Sequence, residues 1–96
     1  MVFEHVKPSA RFTVPDRITV RQQLQYFSEA SIGDAPVFLR LWQGAVPLIE
    51  EWTCEVMPDK DVDLNSITDP NVTLVLVWAG LEVKKRIEGM NDLPKN

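Results

Sequence analysis

FLRLWQGAVPLIEEWTCEV, residues 38–56, carries the densest apolar pattern in the chain. Phe38, Leu41, Trp42, Ala45, Ile49, Trp52 and Val56 follow one another at spacings of three and four, which is one side of a helix for about five turns. Asp34 stands where a side chain caps a helix, and Pro36 is tolerated in a first turn, where its missing N–H loses no partner. Pro58 ends the run. The pattern predicts a helix over about 34–56 with a kink near 43–47, because Pro47 removes a backbone donor and Gly44 eases the bend. Trp42 and Trp52 fall on the inward stripe and are expected in the core.

On the N-terminal side, Thr19 with Gln22 three places on forms a capping box. Val20, Leu24 and Phe27 then share one face and Gly33 closes the segment, predicting a helix over about 19–31. Residues 1–17 read as an arm: Phe12 and Val14 alternate with Arg11 and Thr13, the period of a short half-exposed strand, and Pro15 stops it.

On the C-terminal side, residues 57–70 form a polar connector. Asp69 and Pro70 then suit the N-cap and first position of a helix over about 70–89. Val72 to Trp78 is rich in β-branched residues and also suits a buried strand. Length favours the helix, since no turn signal comes before Gly89 and Glu82 stands four residues before Arg86. Val72, Leu76, Ala79, Val83 and Ile87 make a complete core stripe, yet Leu74, Val77, Trp78 and Leu81 are apolar on the opposite side. A helix apolar all round must be covered all round. Either the arm covers this second face, or these four residues are a contact surface for another copy or another protein. Leu74, Val77, Trp78 and Leu81 are therefore the partner-binding candidates. The expected fold is all-α: one three-helix domain over 1–96 with an extended N-terminal arm, the connector before the last helix, and a fraying tail over 90–96.

The totals exclude several functions. Ninety-six residues suffice for one core of ordinary size and not two. A net charge of −4 argues against a general nucleic-acid binder, and the basic run Lys84-Lys85-Arg86 is flanked by Glu82 and Glu88. No apolar run resembles a signal peptide, and the longest, Leu74 to Leu81, is far short of the ~20 residues a membrane span needs. A cytoplasmic protein is expected.

Candidate chemistry is sparse. His5 lies on the arm and Cys54 in the predicted second helix; a nucleophilic pair would need the arm to fold back, and the bland reading is a solvated histidine and a structural thiol. Asp59, Asp61, Asp63 and Asn65 imitate the first, third, fifth and seventh positions of a calcium loop. Leu64 replaces the glycine of the sharp turn and Pro70 the bidentate glutamate, so a solvated acidic loop is expected. No catalytic residue, cofactor or metal ligand is assigned.

The segments FTVPDRITVRQQLQYFSEA, FLRLWQGAVPLIEEW, MPD and ITDPNVT-x5-WAGLEVKKRIEGMNDLPKN, in this order over residues 11–96, resemble the small tail assembly chaperones of long-tailed (siphovirus-type) bacteriophages. The resemblance implies a non-catalytic helical protein of the infected host's cytoplasm. It would bind the tape measure protein, promote assembly of tail tube subunits around it, and be absent from the mature virion. A homo-oligomer is compatible with it, and neither nucleic acid nor membrane is an expected partner. The alternative is a structural phage component, such as a head–tail connector or tail-completion subunit. In this family a frameshift near the end of the short form often adds a domain; Pro94-Lys95-Asn96 permits CCA AAA AAC, whose A-AAA-AAC heptamer would allow such a slip.

Overall fold

The computed structural model of the protein describes residues 1–31 and 33–91. Ile49 is where the expected long helix fails. Helix α2 spans only Val37–Ala45, a single 3-10 turn follows over Val46–Leu48, and Ile49 is extended with φ −74° and ψ 120°. Pro47 therefore terminates the helix rather than kinking it: it lies in the first positions of the 3-10 turn, where no donor is needed. Beyond it, Glu51-Trp52-Thr53-Cys54 alternates polar and apolar, which suits a strand as well as Ile49, Trp52 and Val56 suit a helix. The chain resolves the ambiguity as strand β3, Glu51–Cys54.

This strand overturns the all-α expectation. The described residues form a small mixed α/β fold, with three helices against one three-stranded antiparallel sheet. The N-terminal segment is no extended arm but a hairpin of β1, Val2–His5, and β2, Ala10–Thr13, with a cis Lys7–Pro8 peptide in its turn. Strand β2 is central, pairing with β1 on one side and β3 on the other. The register places Phe3, Phe12 and Trp52 in one row across the sheet, and His5, Ala10 and Cys54 in the next. Since side chains alternate across a strand, both rows face the helices, while Glu4, Arg11, Glu51 and Thr53 face water.

The α-amino group of Met1 donates to the Val14 carbonyl at 3.0 Å and to Asp16 Oδ1 at 2.8 Å. That bond and the ammonium charge hold the Asp16 carboxyl below its ordinary range.

Helix α1, Val20–Ala30, begins with the capping box: Thr19 Oγ1 accepts from Gln22 N–H at 3.1 Å, and Gln22 Oε1 accepts from Thr19 N–H at 2.8 Å. Asp34 does not cap α2, whose N-cap is Pro36; its carbonyl accepts from Leu39 and Arg40. Helix α3, Asn71–Asn91, starts where Asp69 Oδ1 accepts from Asn71 N–H at 2.9 Å. The tail residues beyond Asn91 lie outside the described residues.

Two glycines let α2 sit between its neighbours. A Cβ on Gly44 would come within 3.0 Å of the Tyr26 carbonyl in α1, and one on Gly80 in α3 within 3.1 Å of Leu41 Cβ. The core lies between sheet and helices, where Phe12 is fully buried. Its ring stacks on Phe3 (4.9 Å between centroids) and Trp52 (6.0 Å), and Trp52 meets Trp42 edge-on at 5.3 Å. The connector is less polar than its composition: Met57 is buried, and Val62, Leu64 and Ile67 pack against the core. Lys60 Nζ donates to the carbonyls of Val46 and Ile49 at 3.2 and 2.5 Å, satisfying acceptors freed where the helix ends.

Candidate interaction surface

The apolar residues of α3 divide differently from the two faces read in the sequence. Val72, Leu76, Ala79, Val83 and Ile87 are buried, and Val75 joins them. On the other side the four candidates part company. Trp78 is half-buried and belongs to the core, with Phe12 edge-on at 5.1 Å and His5 at 5.1 Å between ring centroids. Val77 is half-buried. Leu74 and Leu81 remain 55% and 41% exposed. The N-terminal hairpin thus covers Trp78, in the middle of the second face, and leaves the leucines on either side of it open.

A larger uncovered stripe lies on α1. Val20, Leu24 and Phe27 are 70%, 64% and 46% exposed, and the only residue of this helix that the structure buries is Tyr26. These are positions i, i+4 and i+7, so they form one continuous ridge along nearly the whole helix. Burial of Tyr26 fixes its orientation: α1 sits on α2 through Tyr26 and Ala30, which meet Gly44, and turns the apolar stripe outwards. The sequence showed the stripe but not its direction. A hint was present in Gly44, whose missing side chain makes room for an aromatic neighbour. Val37 and Phe38, at the start of α2, add further exposed apolar surface.

The Tyr26 hydroxyl is buried without a hydrogen-bond partner among the described residues, and burial, aided by the negative charge of Glu88, raises its pKa above the ordinary value. His5 and Cys54 do share one face of the sheet, because the hairpin folds back. Ala10 lies between them in the register, so they stand two strand spacings apart, about 10 Å, beyond hydrogen-bond reach. His5 Nδ1 instead donates to the Pro8 carbonyl at 2.8 Å, and the histidine is half-buried rather than solvated.

The connector aspartates serve their own backbone. Asp59 Oδ1 accepts from Asp61 N–H at 2.9 Å and Asp63 Oδ1 from Asn65 N–H at 3.0 Å, which are local turns. Among the described residues no group of three or more His, Cys, Asp or Glu side chains is placed to hold a metal ion. No described helix is long and apolar enough to cross a membrane. What the fold presents is apolar helix surface in two places, the α1 stripe and the pair Leu74 and Leu81, with Val37 and Phe38 besides. Compared with known proteins, the chain matches no protein-family model, no curated protein and no solved structure.

Proposed function

We propose that the protein is a non-catalytic tail assembly chaperone of a long-tailed phage, which binds the tape measure protein in the host cytoplasm and promotes assembly of tail tube subunits around it. The observation that supports this reading is the exposed ridge of Val20, Leu24 and Phe27. A tape measure protein is long and helical, and an apolar ridge at i, i+4 and i+7 is the form in which one helix engages another. Three large apolar side chains in a row on a short, well-capped helix are costly to leave in water, at roughly 25 cal/mol for each Å² that a partner would cover. The protein sequence of the four segments quoted above provides the remaining support, and it alone points to phage tails.

Co-expression with the tape measure protein tests the proposal. The parent chain should keep the tape measure soluble and co-purify with it, whereas Val20→Ser, Leu24→Ser, Phe27→Ser should melt much like the parent and lose the complex. Equal capture by parent and variant would remove the ridge from the mechanism; no capture by either would remove the chaperone reading. Mass spectrometry of purified particles separates a chaperone, absent from the virion, from a connector or tail-completion subunit, which remains in it.

A further inference from the structure

A groove of about 400 Å³ runs between the end of α1, the α2–Pro47 corner and the connector. Pockets that hold organic groups begin near this size. Its apolar lining includes Trp42, Val46 and Leu64. Its polar lining includes two carboxylates and an amide oxygen. Glu29 and Asp61 line it, and neither carboxylate has an ion-pair partner among the described residues. Gln43 also lines it, and Gln43 Oε1 is buried without a hydrogen-bond partner among the described residues. The one cation in the lining, Lys60, already donates to the carbonyls of Val46 and Ile49. Two carboxylates against one ammonium leave the groove one negative charge in excess.

Such a groove asks for a ligand with an apolar body and several donors. We propose that it binds a peptide segment of a partner protein in which a bulky apolar side chain stands beside an arginine. Arginine suits it better than lysine. Its planar, weakly hydrated guanidinium can lie along an apolar lining, and its five N–H donors can serve an amide oxygen and a carboxylate together. The apolar neighbour covers Val46 and Leu64, and the excluded water strengthens the charge pairing. The site is separate from the α1 ridge and stands whether or not the partner is a tape measure protein.

The test uses the full chain and a blocked pentapeptide, acetyl-Ala-Leu-Arg-Leu-Ala-amide, with a second peptide carrying citrulline in place of arginine, which keeps the shape and loses the charge. Titration followed by NMR should shift the Trp42 indole and Gln43 side-chain amide signals saturably with the arginine peptide. The citrulline peptide should bind about tenfold more weakly, equivalent to ~1.4 kcal/mol. Glu29→Gln, Asp61→Asn should lower arginine-peptide affinity by a similar factor and abolish the difference between the two peptides. The absence of saturable shifts at Trp42 and Gln43 would overturn the proposal, as would equal binding of the two peptides by the parent chain. Shifts confined to Val20, Leu24 and Phe27 would also overturn it, placing the peptide on the α1 ridge.

Discussion

The ring of Phe12 meets Trp78 edge-on at 5.1 Å between centroids, which keys the central strand of the sheet into the third helix. Phe12 also stacks on Phe3 and Trp52, so one side chain joins both outer strands and α3. Phe12→Ala should therefore cost about 3–5 kcal/mol, at the upper end for a buried aromatic. That is a large share of the ~5–15 kcal/mol that holds a small domain folded. Phe12→Leu, which keeps most of the volume, should cost about 1–2 kcal/mol. Urea denaturation followed by tryptophan fluorescence measures both; similar, small losses would mean that the aromatic row does not organise the core.

Leu74 and Trp78 lie one turn apart on α3 and should respond oppositely to a polar substitution. Leu74→Ser, Leu81→Ser removes exposed side chains, so the main loss is helix propensity, about 0.5 kcal/mol per site. Trp78→Ser vacates the space beside Phe12 and His5 and should cost several times as much, about 3 kcal/mol or more. Thermal melting orders the two variants. Light scattering on the leucine double variant then reports whether α3 contributes to self-association: a parent oligomer reduced to monomer mass assigns the contact to these leucines, and an unchanged mass excludes them.

Tyr26 gives the fold an alkaline limit. Its pKa is raised above the ordinary value of 10.0, by burial first and the charge of Glu88 second, so the folded chain holds the phenol proton more tightly than the unfolded chain does. The stability linked to this group is fully present below the unfolded value near 10 and is lost as pH rises through the higher folded value. Tyr26 is the only tyrosine, so tyrosinate absorbance follows it alone. Tyr26→Phe should flatten the alkaline decline and leave neutral stability unchanged or slightly higher, because an unpartnered buried hydroxyl is removed. A midpoint at the ordinary value would defeat this account.

Millimolar calcium should leave the melting temperature unchanged. Asp59 and Asp63 each turn an oxygen back onto the chain two residues ahead, which organises the connector without an ion. A rise of several degrees, as ligand linkage gives for a genuine site, would show that the carboxylates can be recruited together.

Much of the helical architecture was legible. Thr19 and Gln22 marked the start of α1, Asp69 the start of α3, and the stripe from Val72 to Ile87 its buried side. The alternation around Phe12 marked strand β2. The failure lay in residues 49–56, where Trp52 satisfies a helical and a strand period at once. A three- and four-residue spacing continued across Pro47 carried the expected helix past Ala45, where α2 ends, through all of β3 to Val56, and without β3 the hairpin had no third strand to join. The surface was harder. A stripe such as Val20, Leu24 and Phe27 looks the same whether it faces the core or water; only the seating of Tyr26 against Gly44, a contact between separate helices, decides it. The proposed slippery codons fall at Pro94 to Asn96, outside the described residues.

The central position of β2 has a consequence for the order in which the chain can fold during synthesis. The hairpin, α1 and α2 leave the ribosome first, but the free edge of β2 gains its partner only when Glu51–Cys54 emerge, and Phe12 gains Trp78 only once α3 has emerged as well. Joining such distant segments is slow, because the loop between them must close before any contact rewards it. For that interval the nascent chain carries an open strand edge and an unburied aromatic row, which are the features that draw strands into pairing with other chains. Fragments ending before residue 51 should therefore bind a dye for exposed apolar surface, and that binding should fall away only in chains that include α3.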